Sequence, residues 1–339
     1  MSKVSIIIPC YNAKKTIKRT LRSVVRQSYP DLEILLVNDA STDGTEVILQ
    51  QMARTDDRLR ILHHAKNMGL DYARFSGVNA AKGRYLCFLD ADDTLPRNAI
   101  SSLLSVAERE DADIVEGAST RVLGRWGLVK RRSHLKNQVL VPPELMDDYF
   151  ISYFGVNRLG VTAWGKLYLR DLFVRSSIRP SGFKRGQDLV MNMSLFPYVR
   201  KYVTLDEDVL HYYFGGITSS LDRSFYDCSK QQYYMKLDMI NRYGYTKALR
   251  TTRIEMCNIL NTMVRQMLLA RLPEAEIRLF LEEEVSSGFL DEISLDTGNS
   301  INLDSIKNKN IGGIIDSQRR SLWKARLRRS VSLFVAKIL

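Results

Sequence analysis

Arg84-Tyr85-Leu86-Cys87-Phe88-Leu89-Asp90-Ala91-Asp92-Asp93 sets an apolar run directly against three carboxylates. Tyr85 to Leu89 has the length and composition of a buried β-strand. Packing alone does not place so much like charge at a strand end, because neighbouring carboxylates repel and resist burial. A hard divalent cation resolves that conflict. Mg²⁺ or Mn²⁺ takes one or two carboxylates and completes its shell with water and phosphate oxygens. An acidic strand-to-helix turn, with Asp93 or Thr94 capping a helix behind Pro96, accounts for the same residues. On this stretch alone both readings stay open.

Upstream, strand and helix signals alternate. Val4-Ser5-Ile6-Ile7-Ile8 is a β-branched run stopped by Pro9, and Lys14 to Gln27 carries Ile17, Leu21, Val24 and Val25 at helical spacing. Leu32 to Val37 predicts a second buried strand. Ser41-Thr42-Asp43 then offers N-caps for a helix reaching about Ala53. Arg60 to His63 predicts a third strand, and Leu70 to Ala81 a helix ending at Gly83. The pattern implies an α/β fold, a mostly parallel sheet with helices on both faces. Right-handed crossovers gather the strand C-termini on one edge, where such folds bind ligands. Pro9 to Asn12, Asn38 to Ser41 and Asp90 to Asp93 are expected to meet there.

The 339 residues divide into an expected α/β region, 1–220, and a helical C-terminal region, 221–339. The first changes pattern at about residue 112, with a less regular stretch over 113–220. Val122 to Lys136, basic and containing Trp126, reads as a hairpin or mobile loop. Tyr226 to Tyr243 and Lys247 to Leu272 read as long helices, Glu274 to Glu284 as an acidic segment, and Ser286 to Asn310 as a polar loop. Composition, 45% apolar and 26% charged, is that of a globular protein, and the net charge of +12 calls for an anionic partner. Cys10, Cys87, Cys228 and Cys257 form no paired or zinc-like grouping, as expected of reduced cytoplasmic thiols. Val4 to Pro9 is too short for a signal sequence, and no run approaches the ~20 apolar residues of a membrane span. A dinucleotide-binding dehydrogenase is excluded, since Pro9 stands where a glycine-rich phosphate loop would follow the first strand. A basic nucleic-acid-binding protein would explain the charge, but no recognition motif is present and much of the basicity lies in the tail.

Taken together, Val4 to Asn12, Glu33 to Thr45, Asn67-Met68-Gly69-Leu70 with Ala73-Arg74 and Gly77, and Gly83 to Asp93 resemble the family 2 glycosyltransferases of GT-A fold. The resemblance is strong over residues 3–100 and weaker to about 220. It implies a GT-A catalytic domain over 1–220, with a nucleotide-binding half, 1–112, and an acceptor-side half, 113–220, and inverting sugar transfer from a nucleotide-diphosphate donor, most often a UDP-sugar. By the same resemblance Pro9, Tyr11, Asn12, Asp39, Arg74, Asp90 and Ala91 bind the nucleotide. Tyr11 would face the base, Asp39 would accept the uracil imide N–H, and Arg74 would approach the diphosphate. Asp90-Ala91-Asp92 matches the family's DxD motif, with Asp92 as ligand to Mn²⁺ or Mg²⁺ and His211 as a further candidate ligand. Gly186-Gln187-Asp188 resembles the family's Gly-Glu-Asp segment, making Asp188 the base that takes the acceptor's proton. Gln187, where glutamate is usual, and Trp164, whose face suits a pyranose, are the candidate acceptor contacts, with a core position the equal alternative for Trp164. A non-catalytic interaction protein on this scaffold is the alternative that Gln187 raises.

The C-terminal segment 319–339 holds seven Lys/Arg and no Asp/Glu. On a helix, Trp323, Leu327, Val331, Phe334 and Ile338 fall along one side, the composition of a helix lying on an anionic membrane. A helix packed on the rest of the chain with a solvated basic face has the same composition. The expected setting is the cytoplasmic face of the cell membrane, with a glycan or lipid-linked acceptor in envelope polysaccharide synthesis. The C-terminal helices offer a route to a homo-oligomer.

Overall fold

The structure, a computed structural model, describes residues 3–123, 128–131, 137–141, 161–213, 223–295 and 304–338. The chain divides into two compact units, residues 1–153 with 157–216, and residues 217–339 with 154–156.

The first unit is built on one sheet. Its first four strands are β1 (Val4–Cys10), β2 (Leu32–Asn38), β3 (Leu59–His63) and β4 (Tyr85–Phe88). They are parallel and lie in the order β3-β2-β1-β4. Between them run α1 (Ile17–Val25), α2 (Thr45–Ala53) and α3 (Leu70–Ala80), with α4 (Ala99–Glu110) following. Every residue of β1 and β2 is buried, as expected of strands covered on both faces. Even-numbered β1 residues join Leu21 and Val24 of α1 in the core, while Ile7 faces α3. At Gly77 the helix comes so close that a Cβ would collide with the Ile7 side chain.

β1 runs two residues past its predicted end, through Pro9. Ile7 accepts the last bond from the β4 side, from Leu89 N–H at 3.0 Å. Pro9 has the same parity as Ile7, so its missing N–H would point where β4 has already turned away. On the other side Cys10 C=O still accepts from Asp39 N–H at 2.9 Å. Proline is tolerated because no ladder bond is lost. The sheet's strand order reverses between β1 and β4, which makes this gap the crevice where open α/β sheets bind ligands.

Beyond β4 the sheet becomes mixed. β5 (Ile114–Leu123), β6 (Leu128–Arg131), β7 (Gln138–Leu140), β8 (Lys166–Leu169) and β9 (Tyr202–Tyr213) extend it in the order β4-β8-β5-β9-β7, with β6 paired to β5. β8 is antiparallel to both β4 and β5, and β9 is parallel to β5. The antiparallel β5–β6 pair makes the region around Val122 a hairpin; Trp126 lies outside the described residues. Helices α5 (Arg170–Ser176) and α6 (Gln187–Leu195) and a 3₁₀ turn (Phe196–Tyr198) complete the unit.

The second unit is helical: α7 (Arg223–Tyr243), α8 (Thr246–Leu269), α9 (Glu274–Ser286), α10 (Phe289–Ser294), α11 (Asp304–Lys307) and α12 (Ile311–Ile338). The acidic segment is a helix that buries Ile277, Phe280 and Leu281. The predicted polar loop differs from expectation, because Phe289, Leu290 and Ile293 share a face and fold into the core as α10. α12 is anchored by buried Ile314, Ile315 and Gln318, and Arg319 pairs with Glu274 at 2.7 Å. Leu327, Val331, Phe334 and Ile338 of the predicted apolar stripe carry side chains outside the described residues. Trp323 is 62% exposed. No helix among the described residues is long and apolar enough to cross a membrane.

Gly77→Ala should lower unfolding stability by about 1–3 kcal/mol despite alanine's better helix propensity, because the added methyl overpacks Ile7. Denaturant unfolding measures this; an unchanged or raised midpoint would contradict the packing described.

Candidate active site

Three loops at the C-terminal edge of β1, β2 and β4 form one wall of the site. The loop after β1 is laced to the loop after β2. Asn12, in the left-handed region at φ 48°, accepts Thr42 N–H at 2.8 Å on Oδ1 and donates its own N–H to Ser41 Oγ at 3.1 Å. Ala13 N–H reaches Thr45 Oγ1 at 2.8 Å, and Lys14 N–H reaches Asp43 Oδ2 at 3.0 Å. Asn12 is thus a loop brace. Tyr11 beside it is 50% exposed, leaving its ring available to a base. Asn38 donates to Glu46 Oε2 at 2.5 Å, so the amide at this position avoids opposing two carboxylates.

Asp39 is 2% exposed and already heavily engaged. Its Oδ1 takes Met68 N–H at 2.8 Å and the His64 Nδ1 contact at 2.6 Å, while Oδ2 takes Gly69 N–H at 2.8 Å. His64 also contacts Ser76 Oγ at 2.9 Å through Nε2. The carboxylate therefore orders the chain entering α3, and Oδ2 keeps one acceptor position. His64 escaped sequence reading because nothing marks a histidine one residue past a strand as Asp39's partner.

The acidic turn after β4 is held from three sides. Thr20 Oγ1 donates to Ala91 C=O at 2.9 Å, and Arg19 Nη2 to Asp92 C=O at 2.6 Å. Tyr213 N–H donates to Asp93 Oδ1 at 2.9 Å, and Thr94 exchanges backbone bonds with His211. These contacts explain part of the acidity as turn structure. They leave Asp92 without a side-chain partner among the described residues. Burial raises its pKa, with its own N–H and the Arg19 charge opposing. Asp93 is fully buried, its Oδ2 has no hydrogen-bond partner, and burial together with Asp90 and Asp92 pushes its pKa up to about 8. Among the described residues no group of three His, Cys, Asp or Glu is arranged to hold an ion by itself. The donor set fits Mg²⁺ or Mn²⁺, which binds through one or two carboxylates and leaves the rest of its shell to phosphate and water. His211 has a pKa lowered by burial, against Asp208, which favours the neutral ring that metals require.

Asp188 closes the site from the other half of the sheet. It lies in the first turn of α6, after Gly186 in the left-handed conformation, with Gln187 partly exposed beside it. Its Oδ1 accepts from Arg74 Nη1, and its Oδ2 accepts Ala163 N–H at 2.8 Å. Arg74 Nη2 donates in turn to Asp90 Oδ1 at 2.9 Å. Arg74 is 1% exposed. Burial depresses its pKa, but the charges of Asp188 and Asp90 overcome this and raise it. Asp90's pKa rises through burial, with Arg74 opposing and Asp188 and Asp92 adding to the rise. Both terminal nitrogens of Arg74 are committed to carboxylates, which differs from an arginine open toward a diphosphate. Trp164 is 8% exposed, and its indole stacks on Tyr212 at 5.6 Å with an interplanar angle of 24°, so of the two positions open to it the structure shows the core one.

The sequence model of Glycosyl transferase family 2 matches residues 5–173. The chain is 32% identical over 254 residues to the uncharacterised glycosyltransferase EpsJ of Bacillus subtilis (strain 168), covering 73% of this chain and 72% of that protein. It is 28% identical over 215 residues to the poly(ribitol-phosphate) beta-glucosyltransferase of Bacillus spizizenii, covering 62% of this chain and 32% of that one. Among solved structures, S. aureus TarS 1–349 in complex with UDP-GlcNAc superposes with a TM-score of 0.72 at 17% identity, covering 94% of this chain and 92% of that chain. At that identity the superposition speaks for the GT-A fold alone. With EpsJ matched over most of both chains, and the crevice built from the family's own motif segments, the chain belongs to glycosyl transferase family 2 and is a glycosyltransferase.

Proposed function

We propose that this glycosyltransferase moves a sugar, with inversion, from a UDP-sugar to a hydroxyl of a glycan or lipid-linked acceptor in envelope polysaccharide synthesis. One observation carries the reading: Asp90 of the acidic turn and Asp188 of α6 meet across a single buried arginine, Arg74. That joins a donor-side carboxylate to an acceptor-side carboxylate in one site. The relative that glucosylates poly(ribitol-phosphate) and the UDP-GlcNAc bound to TarS support the acceptor and donor classes. The first compact unit is the catalytic domain in this reading, and the helical unit is accessory.

Each group then has a task. The exposed Tyr11 ring lies against the base, and Asp39 Oδ2 accepts the imide N–H with its remaining lone pair. Asp92 holds Mg²⁺ or Mn²⁺, with His211 a further candidate ligand; when bound, the ion neutralises charge gathering on the departing diphosphate. Asp188 receives the acceptor hydroxyl's proton as that oxygen attacks the anomeric carbon from the opposite side. Arg74 holds the Asp188 carboxylate in place through Oδ1. Gln187 borders the acceptor side and adds no second negative charge beside Asp188.

Asp188→Asn keeps the shape of the side chain but cannot take a proton. Its rate of UDP release from UDP-sugars should fall by about 10²–10⁴ in a chain that still unfolds cooperatively, at a lowered melting temperature because buried Arg74 loses one of its charge partners. Near-normal turnover would reject Asp188 as the base. Asp92→Ala should abolish the manganese dependence of UDP binding in calorimetry, and persistence of that dependence would remove Asp92 from the metal site. For the tail, the exposed Trp323 and the basic composition of residues 319–339 support a helix on an anionic leaflet. Truncation after residue 318 should reduce co-sedimentation with phosphatidylglycerol vesicles, and equal binding by the truncated chain would reject the membrane contact.

A further inference from the structure

A short strap, residues 161–164, lies between the Asp188 helix and β8 and is stapled from below by buried polar groups. Lys166 is 1% exposed, and its Nζ donates to Thr162 C=O at 2.7 Å. The same ammonium lies 3.5 Å from Glu116 Oε1 on β5, and Glu116 Oε2 accepts Tyr202 Oη–H from β9 at 2.5 Å. From α6, Asn192 Nδ2 reaches Val161 C=O at 3.1 Å, Thr162 C=O at 3.3 Å and Asp188's own C=O at 2.9 Å. Tyr168 Oη bonds Asn192 Oδ1 at 2.9 Å and lies 3.3 Å from Ala163 C=O.

All of these bonds converge on one product: the Ala163 N–H, aimed at Asp188 Oδ2 at 2.8 Å. We infer that Lys166 and Asn192 are positioning residues for the reaction, acting through the strap to set the direction of the Asp188 carboxylate. The inference rests on Asp188 being the base.

The physical reasoning starts from cost. A buried ammonium is expensive, and here burial lowers the Lys166 pKa while Glu116 and Asp188 oppose that fall. A strand needing only stability is better served by an apolar side chain of similar volume. What Lys166 supplies that a methionine would not is a charge-assisted bond to the Thr162 carbonyl, which fixes the plane of that peptide and so holds its N–H, that of Ala163, toward Asp188. Asn192 performs the complementary task, tying the strap to the backbone of the helix turn that carries Asp188. With Arg74 on Oδ1 and Ala163 N–H on Oδ2, the carboxylate loses its rotational freedom. Its unpaired lone pairs then keep one direction, as proton transfer requires.

Lys166→Met and Asn192→Leu in the full chain separate this role from a merely structural one. The assay is UDP release, with Mn²⁺, from whichever of UDP-glucose and UDP-N-acetylglucosamine the wild type turns over faster. Each variant should lose at least about tenfold in kcat, while donor KM and the calorimetric Kd for UDP stay within about twofold, because the Lys166 and Asn192 bonds named above join residues of the acceptor-side half, 113–220. Unchanged kcat in both folded variants, with Asp188→Asn inactive, would overturn the inference and leave the base assignment standing. Turnover retained in Asp188→Asn would overturn the base assignment itself. A parallel loss of UDP affinity, or collapse of the fold in both variants, would show the network to be a stability element and overturn the positioning role.

Discussion

The ion pairs of Arg74 are the constraint on which the rest of the site depends. A guanidinium stays charged even at 1% exposure and is costly to bury unpaired; Arg74 is paired with two carboxylates, Asp90 after β4 and Asp188 of α6. Removing a partner from such a pair commonly costs about 3–5 kcal/mol, because the remaining charge is left buried. The β4 turn, helix α3 and helix α6 are therefore bound to one another by a contact that none could make alone. Arginine suits the position because its planar fork reaches two carboxylates at once, where a lysine would reach them only as a point charge.

Placement of that arginine is decided one turn further along α3. Gly77 lets the helix lie directly on Ile7, so Arg74 sits low enough to meet groups at the strand ends. The parallel ladder contributes in the same way. It brings Cys10, Asn38 and Leu89 to a common edge, and β4 stops short of β1 where Pro9 needs no partner. The opening of the crevice and the tolerance of proline have one cause, the early departure of β4.

Acidity in the turn after β4 now has two explanations that operate together. Asp93 is consumed by the Tyr213 backbone, and Asp90 by Arg74. Among the described residues, only the Asp92 carboxyl of the three accepts no hydrogen bond from another residue. The choice between turn structure and metal binding, open while only the sequence was considered, divides among individual aspartates once the fold is present.

The strands and helices of the first hundred residues were legible because continuous apolar runs and helical spacing are local properties. The family was legible because its motifs are contiguous. The membership of the site was partly legible: Asp90, Asp92 and Asp188 stand in recognisable segments, but nothing local says what each will touch. Arg74 read as a diphosphate contact or a solvated helix-face arginine, and Trp164 as an acceptor platform or a core residue; no local signal gave His64, Lys166 or Asn192 a role of its own. Their roles depend on partners distant in the chain, as with Arg74 and Asp188, 114 residues apart, or His64 and Asp39, 25 apart. Local sequence determined which elements form and which chemistry is present. Only tertiary structure decided which charges pair, because pairing is a matter of which buried donors come within hydrogen-bond reach of which acceptors.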